Sequence, residues 1–341
     1  MARPLRIERP GGWYHVTARG NERRDIFRDD KDRGRFLELL EEMVGLFGVR
    51  LHVYVLMSNH YHLLLELTAA NLSRAVHWLN VSYSVWFNRR RGRSGHLLQG
   101  RFKSVLVEPE QWGWEISRYL HLNPVRVRRQ GLGKSQVQRS RAVGVERLSR
   151  EQVRERVQTL RRYRWSSYRA YMGSAPVPSW LTTNAVMALG GKGKDPRDRY
   201  RAYCEEAIRE GMSASPWEEV VGQAVLGTER FVARVSAGLG AREAGRRWGK
   251  RPMLNQAIAA VERVRGERWK EFRDRHGDAG RDLVLYLGRK VCGLGYRALS
   301  EQAQIQYVSA ATAVRRFAAR LAKDRGLARL LDRSNKEMHN A

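Results

Sequence analysis

Two histidines separated by one residue begin a short apolar segment of the sequence, SNHYHLLLE, at residues 58–66. Alternate residues of a β-strand point to the same face, roughly 7 Å apart, so His60 and His62 would project together with Glu66. Leu64 would lie on the same face as the histidines, whereas Tyr61, Leu63, Leu65 and Leu67 would face the core. Two imidazoles at this spacing can bind one metal ion if a third group completes the site. The alternative is two exposed polar residues at the end of a half-buried strand.

The first 125 residues alternate strand and helix patterns in the order β-α-β-β-α-β, with one more helix after them. The predicted strands cover residues 13–19, 51–56, 60–67 and 103–109, and the predicted helices cover 30–47, 72–86 and 110–123. This order predicts an α+β fold, a ferredoxin-like domain with an added helix. The first two helices would cover one face of the sheet. The histidines, with His52 and Tyr54 of the neighbouring strand, would lie on the other face.

The helix after the last predicted strand supplies a second set of polar residues. Its sequence is WEISRYLHLNPVR, in which Tyr119 and Asn123 are four residues apart and share a face, until Pro124 ends the helix. His121 is a candidate base for the tyrosine, but its position two residues along the helix places it on another face.

The charge of the chain indicates its class of partner. Lys and Arg number 64 against 35 Asp and Glu, which gives a formal net charge of +29. Such a charge requires a polyanion, and nucleic acid is the first candidate. No apolar run reaches the roughly 18 residues of a spanning helix, and the two cysteines lack metal-ligand spacing. We therefore expect a cytoplasmic, nucleoid-associated protein that does not use a membrane.

The chain divides into four predicted regions. An α+β domain over residues 1–128 is followed by a basic linker over 129–164, with a possible helix in its second half. A helical region over 165–278 precedes a helix–turn–helix domain over 279–335. The last helix of that domain is predicted to enter a DNA major groove. Its candidate contacts are Tyr307, Ser309, Thr312, Arg315 and Arg316. The alternative is a capping helical bundle with a solvated basic face.

Five sequence blocks, taken together, resemble a known family. HYH followed by RYLHLNPVR resembles the single-tyrosine HUH transposases. The blocks YHVTARGNERRDIF, MSNHYHLLLE, GHLLQGRFKS, SRYLHLNPVR and WSSYRAYMG resemble the REP-associated tyrosine transposases, relatives of the transposases of insertion sequences. The resemblance covers nearly all of residues 1–180. The tail resembles the DNA-binding domain of the chromosomal replication initiator.

The resemblance implies a reaction and its residues. Tyr119 would attack a phosphodiester of single-stranded, hairpin-forming DNA and become joined to the 5′ phosphate. His60, His62 and Asn123 would hold Mg²⁺ or Mn²⁺, although nitrogen ligands alone would equally permit zinc. Asn123 occupies the position of a glutamine that is common in related transposases, and its side chain is shorter. The C-terminal domain would bind duplex DNA, and the protein would be a monomer or a homodimer.

A basic end of the sheet is the expected grip for DNA. Arg19, Asn21, Arg23, Arg101 and Lys103 would contact phosphates, and Trp112 and Trp114 would stack on unpaired bases. The alternative assigns solvated charges and core rings to these positions. Two other functions stay open at this point. One is a DNA-binding regulator derived from a transposase, without catalysis, and the other is a metallohydrolase that forms no covalent intermediate.

Overall fold

The computed structural model describes residues 7–126, 149–191, 195–209, 215–237, 252–321 and 324–339. It consists of two compact units. As far as they are described, the first unit contains Met1–Pro109, Gly113–Gln136 and Arg147–Met212, and the second contains Glu110–Trp112, Val137–Glu146 and Ser213–Ala341. Much of the predicted linker lies outside the described residues, but its predicted helix is present as Arg150–Arg162.

The sheet of the first unit has four antiparallel strands in the spatial order β2-β3-β1-β4. These strands are β1 (Trp13–Arg19), β2 (Arg50–Leu56), β3 (His60–Glu66) and β4 (Lys103–Val107). Helix α1 (Asp30–Phe47) joins β1 to β2, and α2 (Leu72–Arg90) joins β3 to β4. The α+β class and the ferredoxin-like order are therefore confirmed.

Both crossover helices lie on one face of this sheet. Tyr61 of β3 points to them, since its hydroxyl donates to Asn80 of α2 at 2.6 Å and its ring lies 4.9 Å from that of Phe36 in α1. Helix α1 begins after Asp29, whose side chain accepts from a backbone N–H of the first turn. It ends at Gly48, which adopts a left-handed φ of 61°. The opposite face carries His60 and His62.

A β-bulge in β2 changes which of its side chains share the histidine face. Leu51 pairs with Leu65, and the register then shifts before Val53. The extra residue, His52, hydrogen-bonds Glu66 of the histidine face at 3.1 Å. Because a bulge reverses the alternation beyond it, Tyr54 is paired with Leu63 and lies on the helix-covered face. The prediction for His52 was right, and the prediction for Tyr54 was wrong.

The tyrosine helix and the segments that follow complete the first unit. Helix α3 (Trp114–His121) packs on β2 and β3, and one further turn, Asn123–Val125, follows it. The remaining helices are α4 (Arg150–Arg162), α5 (Tyr168–Tyr171), α6 (Asn184–Ala188) and α7 (Pro196–Arg209). Helix α3 is anchored to two of these segments through His121, whose buried ring bonds Ser167 Oγ at 2.7 Å and Tyr200 Oη at 2.6 Å.

The second unit is mainly helical where it is described. It contains β5 (Val225–Leu226), α8 (Glu229–Ala237), α9 (Leu254–Arg265), α10 (Trp269–Phe272), α11 (Ala279–Lys290), α12 (Tyr296–Gln302), α13 (Tyr307–Leu321) and α14 (Arg325–His339). One apolar core contains buried residues from Ala257 to Met338. Leu283, Leu287, Val314 and Phe317 are buried in this core. In the described ranges, no helix is long and apolar enough to cross a membrane.

Candidate active site

The histidine pair lies at the N-terminal end of β3, beside the central strand β1. Arg19 is paired with His60, and Thr17 is paired with His62. The two imidazole rings are 4.9 Å apart between centroids and meet edge to face. Each ring uses Nδ1 within the protein. His60 Nδ1 lies 2.6 Å from Asn59 Oδ1, and His62 Nδ1 lies 2.9 Å from an imidazole nitrogen of β1. Nε2 of each ring is therefore the nitrogen that can face a metal ion.

Both histidines are held in the neutral form that metal binding requires. Burial lowers the pKa of His60 to about 4, and the charge of Arg19 acts in the same direction. Burial also lowers the pKa of His62 well below its usual value, with added repulsion from neighbouring histidines and arginines. At neutral pH the pair thus offers two unprotonated imidazoles.

The predicted third metal ligand, Asn123, would offer an amide oxygen and not an imidazole, a thiolate or a carboxylate. Over the described part of the chain, no cluster of three or more His, Cys, Asp or Glu side chains has the geometry of a metal site. The predicted ligand Asn123 ends the tyrosine helix, where its Nδ2 donates to the carbonyl oxygen of Leu120 at 2.9 Å. This bond leaves Asn123 Oδ1 as the atom that a metal could use. Two imidazoles and one amide oxygen fit a divalent ion that keeps positions for phosphate and water.

Tyr119 is half-buried on α3, and a cation lies over its ring. The guanidinium carbon of Arg126 is 3.8 Å from the ring centroid. The same arginine is close enough to His62 for its charge to lower the pKa of that imidazole. Arg126 is therefore near both Tyr119, the predicted nucleophile on α3, and His62, one of the predicted metal ligands on β3.

Three residues considered for this chemistry are in the core instead. His121 is fully buried in its bonds to Ser167 and Tyr200, as expected for a residue on another face of the helix. Trp114 is also buried, and its ring stacks on that of Tyr203 at 5.4 Å. Trp112, in the second unit, is fully buried under the guanidinium of Arg289. The prediction that these tryptophans stack on unpaired bases was wrong, because neither ring reaches the surface.

The basic end of the sheet is assembled next to His60. The predicted phosphate contacts Arg19, Asn21, Arg23, Arg101 and Lys103 are all exposed. Backbone bonds bring their segments together, since Asn21 N donates to Leu97 O and Gln99 N donates to Arg19 O, both at 2.8 Å. Lys103 pairs with Thr17, which in turn pairs with His62. Lys103 and Arg19 thus share the face of the histidines.

The turn after β1 has a backbone that few residues adopt. A Cβ on Gly20 would lie 2.0 Å from the carbonyl oxygen of Arg24, so only glycine fits there. Glu22 and Arg23 follow with left-handed φ values of 54° and 62°. The carbonyl of Arg23 accepts a bond from Asn59 Nδ2 at 3.0 Å, which ties this turn to the residue before His60.

In the second unit, the predicted DNA contacts have different environments. Ser309 is exposed at the start of α13, and Thr312 and Arg315 are half-buried one turn apart. Tyr307 is in the first turn of α13 and packs edge to face on Tyr296. Arg316 forms a bidentate ion pair with the buried carboxylate of Asp282 on α11, with N–O distances of 2.7–2.9 Å. Its guanidinium holds two helices together, so Arg316 is not retained among the proposed DNA contacts.

Two residues of the site were not found from the sequence. Arg126 lies in the NPVR segment that was considered for its proline and asparagine, and its partner Tyr119 is seven residues away. The second is His15 of β1, whose Nε2 is the nitrogen bonded to His62 Nδ1. His15 alternates with Thr17 and Arg19 along β1, and this pattern is the only signal in the sequence that places it on the histidine face.

The first unit is thus an α+β domain of ferredoxin-like topology in which a His-x-His strand is followed by a tyrosine-bearing helix. Residues 10–122 match the model of the family described as "Transposase IS200 like". The match confirms, for this part of the chain, the resemblance to transposases of insertion sequences.

The comparison with solved structures gives a more distant similarity. The chain is similar to the structure of a REP-associated tyrosine transposase bound to a REP hairpin, with 13% sequence identity and a TM-score of 0.36. The alignment covers 54% of this chain and 93% of that chain. No protein among the curated sequences matches this chain.

Proposed function

We propose that the protein cleaves and rejoins single-stranded, hairpin-forming DNA through a 5′-phosphotyrosine intermediate at Tyr119. The observation that carries this proposal is the position of Arg126, which contacts the Tyr119 ring and influences the charge of His62. It connects a potential nucleophile with two neutral imidazoles inside a segment that matches a transposase family.

The reaction would proceed in two balanced steps. The Tyr119 hydroxyl loses its proton, its oxygen bonds to phosphorus, and the bond from phosphorus to the 3′ oxygen breaks. The products are a tyrosine joined to the 5′ phosphate of the downstream fragment and an upstream fragment whose 3′ oxygen takes up a proton to become a hydroxyl. A second 3′ hydroxyl then attacks the phosphotyrosine and restores the tyrosine. The phosphotyrosine preserves the energy of the broken bond, so this exchange requires no nucleotide.

The residues of the site have separate roles in this scheme. His60, His62 and Asn123 Oδ1 would hold Mg²⁺ or Mn²⁺, which would neutralise charge on a non-bridging phosphate oxygen. Arg126 would orient the Tyr119 ring through its cation–π contact. Arg19 and Lys103, exposed on the same face as the histidines, attract the phosphates that flank the cleaved bond.

The C-terminal unit would provide a second DNA contact. Helices α12 and α13 would act as a helix–turn–helix, in which the exposed start of α13 approaches duplex DNA with Ser309, Thr312 and Arg315. The protein would then bind a hairpin through single-stranded and duplex parts at once. The oligomeric state expected for this arrangement is a monomer or a homodimer.

The test uses a labelled hairpin oligonucleotide with a single-stranded flank and Mn²⁺. The wild-type protein should form a covalent adduct that resists denaturation and carries the fragment downstream of the cleaved bond, joined through its 5′ phosphate. Tyr119→Phe should form none, although it removes one hydroxyl only. Tyr163→Phe is a matched control, because the Tyr163 hydroxyl donates to the Leu56 carbonyl in the same unit, and it should keep the adduct.

Each alternative function gives a different result in this assay. A DNA-binding regulator without catalysis would give no adduct from the wild-type protein. A metallohydrolase would cut the DNA equally well with Tyr119 or with phenylalanine at that position, and would not hold the DNA covalently. Either result would exclude the proposed mechanism.

A further inference from the structure

A third histidine contacts the candidate metal site without belonging to the His-x-His pair. His15 of β1 is buried, with 5% of its surface exposed. Its Nε2 lies 2.9 Å from Nδ1 of His62. The two rings are stacked with an interplanar angle of 20° and centroids 5.1 Å apart. This contact joins the central strand β1 to the candidate metal ligand on β3.

The contact restricts the tautomer of His62. An imidazole that binds a metal through Nε2 must carry its remaining hydrogen on Nδ1. His62 Nδ1–H would then donate to His15 Nε2, which must be an unprotonated acceptor. His60 follows the same rule, because its Nδ1–H would donate to Asn59 Oδ1 at 2.6 Å. Each histidine of the pair thus has its own acceptor, an amide for one and an imidazole for the other.

We propose that His15 is a positioning residue for metal binding: it accepts the Nδ1 hydrogen of His62 and directs the Nε2 lone pair of that ring toward the ion. This proposal rests on the proposed metal site and adds to it the residue that orients one ligand. Partners of this kind fix the ring of a ligating histidine, and their loss typically weakens metal binding about 10–100-fold.

The strand pairing explains why His15 can have this role. His15 is opposite Leu64 on β3, two pairs along from Thr17 opposite His62. It therefore reaches His62 diagonally across the sheet, on the same face. Because His15 is itself buried, water has little access to its Nε2 and competes less for the Nδ1 hydrogen of His62.

The same face of the sheet provides a matched control. His52 is also buried, and its ring bonds Glu66 Oε2 at 3.1 Å and the Thr182 carbonyl oxygen at 2.9 Å. Neither Glu66 nor Thr182 is a candidate metal ligand. A substitution at His52 removes a buried imidazole from the same sheet without removing the acceptor of His62.

The experiment measures Mn²⁺ binding to the full-length protein by calorimetry, without DNA. We expect His15→Leu to weaken Mn²⁺ binding 10–100-fold, whereas His15→Gln, which keeps an acceptor oxygen, should stay within a few-fold of the wild type. His52→Gln should bind as the wild type does. Nitrogen-15 spectra of the metal-free wild-type protein should show His62 with its hydrogen on Nδ1.

The outcomes separate this proposal from the proposed function. Equal Mn²⁺ binding by His15→Leu and the wild type overturns the role of His15 while leaving the metal site intact. A His62 hydrogen on Nε2 overturns it as well, and this measurement does not depend on how any variant folds. No Mn²⁺ binding by the wild type overturns both the metal site and this proposal, whereas loss of the Tyr119 adduct alone overturns only the covalent mechanism.

Discussion

The guanidinium of Arg126 lies over the Tyr119 ring, with its central carbon 3.8 Å from the ring centroid. Burial lowers the pKa of Arg126, and the adjacent Tyr119 raises it. A half-buried arginine on a tyrosine face restricts the orientation of the ring. Arg118 of α3 forms a second pair of this type, in which its guanidinium carbon lies 3.9 Å from the ring centroid of Tyr203 on α7.

Replacement of Arg126 should therefore slow the covalent step. A cation–π contact contributes about 0.5–2 kcal/mol, so Arg126→Gln should reduce the rate of adduct formation by roughly 2–30-fold. Arg118→Gln, which disrupts the other pair, should leave this rate unchanged. Single-turnover rates measured between pH 6 and 9 would contradict this role if both variants behaved alike.

The histidine pair predicts a separation of cleavage from binding. His60→Ala and His62→Ala should each abolish cleavage, because each removes one of two imidazole ligands. DNA affinity, measured by fluorescence anisotropy, should change little, since the phosphates are attracted by many cations. Affinity should still fall with salt, with a slope of roughly −0.7 per phosphate neutralised. His77→Ala, at an exposed position on α2, is the control. Cleavage that persists after both substitutions would remove the metal from the mechanism.

Two adjacent arginines of α13 predict opposite results. Arg315→Ala should weaken binding to duplex DNA, by an expected few-fold, and leave the unfolding midpoint unchanged. Arg316→Ala should lower the unfolding midpoint instead, because it removes the bidentate partner of the buried Asp282 carboxylate and leaves only the longer pair with Arg281 at 3.6 Å. Neither substitution should alter cleavage of an unpaired oligonucleotide. If both substitutions changed duplex affinity equally, the assignment of Arg315 to DNA binding and of Arg316 to the ion pair with Asp282 would be wrong.

A truncation test of the tail must include the whole helical core. A deletion that starts at residue 280 would leave Ala257 and Phe272 without the residues that bury them. We expect a deletion of residues 252–341 to weaken duplex recognition while cleavage of an unpaired strand is retained. The measurement is a competition between duplex and single-stranded oligonucleotides. Unchanged duplex affinity and selectivity would show that the helix–turn–helix does not recognise DNA.

The buried histidine of α3 predicts how stability depends on pH. Burial lowers the pKa of His121 to about 3, whereas an unfolded histidine titrates near 6.5. Between these values the unfolded chain binds more protons, so the free energy of unfolding should fall as the pH decreases from 6.5 toward 3. The slope for one group is at most about 1.4 kcal/mol per pH unit. Urea unfolding of His121→Gln should show a shallower slope between pH 4.5 and 7; an identical slope would contradict the assignment.

The sequence was sufficient for the features that depend on local periodicity. The alternation in HYHLLLE predicted that Tyr61 faces the core and that His60 and His62 face the other way, and both were confirmed. It was not sufficient for Tyr54, because the bulge at His52 reverses the alternation and has no signature in the sequence LHVYVL. His15 was missed for a related reason. His15 and His62 are 47 residues apart in the sequence, and their contact depends on the register between β1 and β3. No local sequence pattern determines that register.

The bonds that His121 makes with Ser167 and Tyr200 bear on the kinetic order of the reaction. They anchor the tyrosine helix to later segments of its own chain, so exchanging that helix with another molecule would require breaking a buried polar network. Each molecule would then supply both nucleophile and imidazoles, and adduct formation per molecule would not depend on protein concentration. For the same reason, a mixture of Tyr119→Phe and His62→Ala would not recover activity that each variant lacks alone.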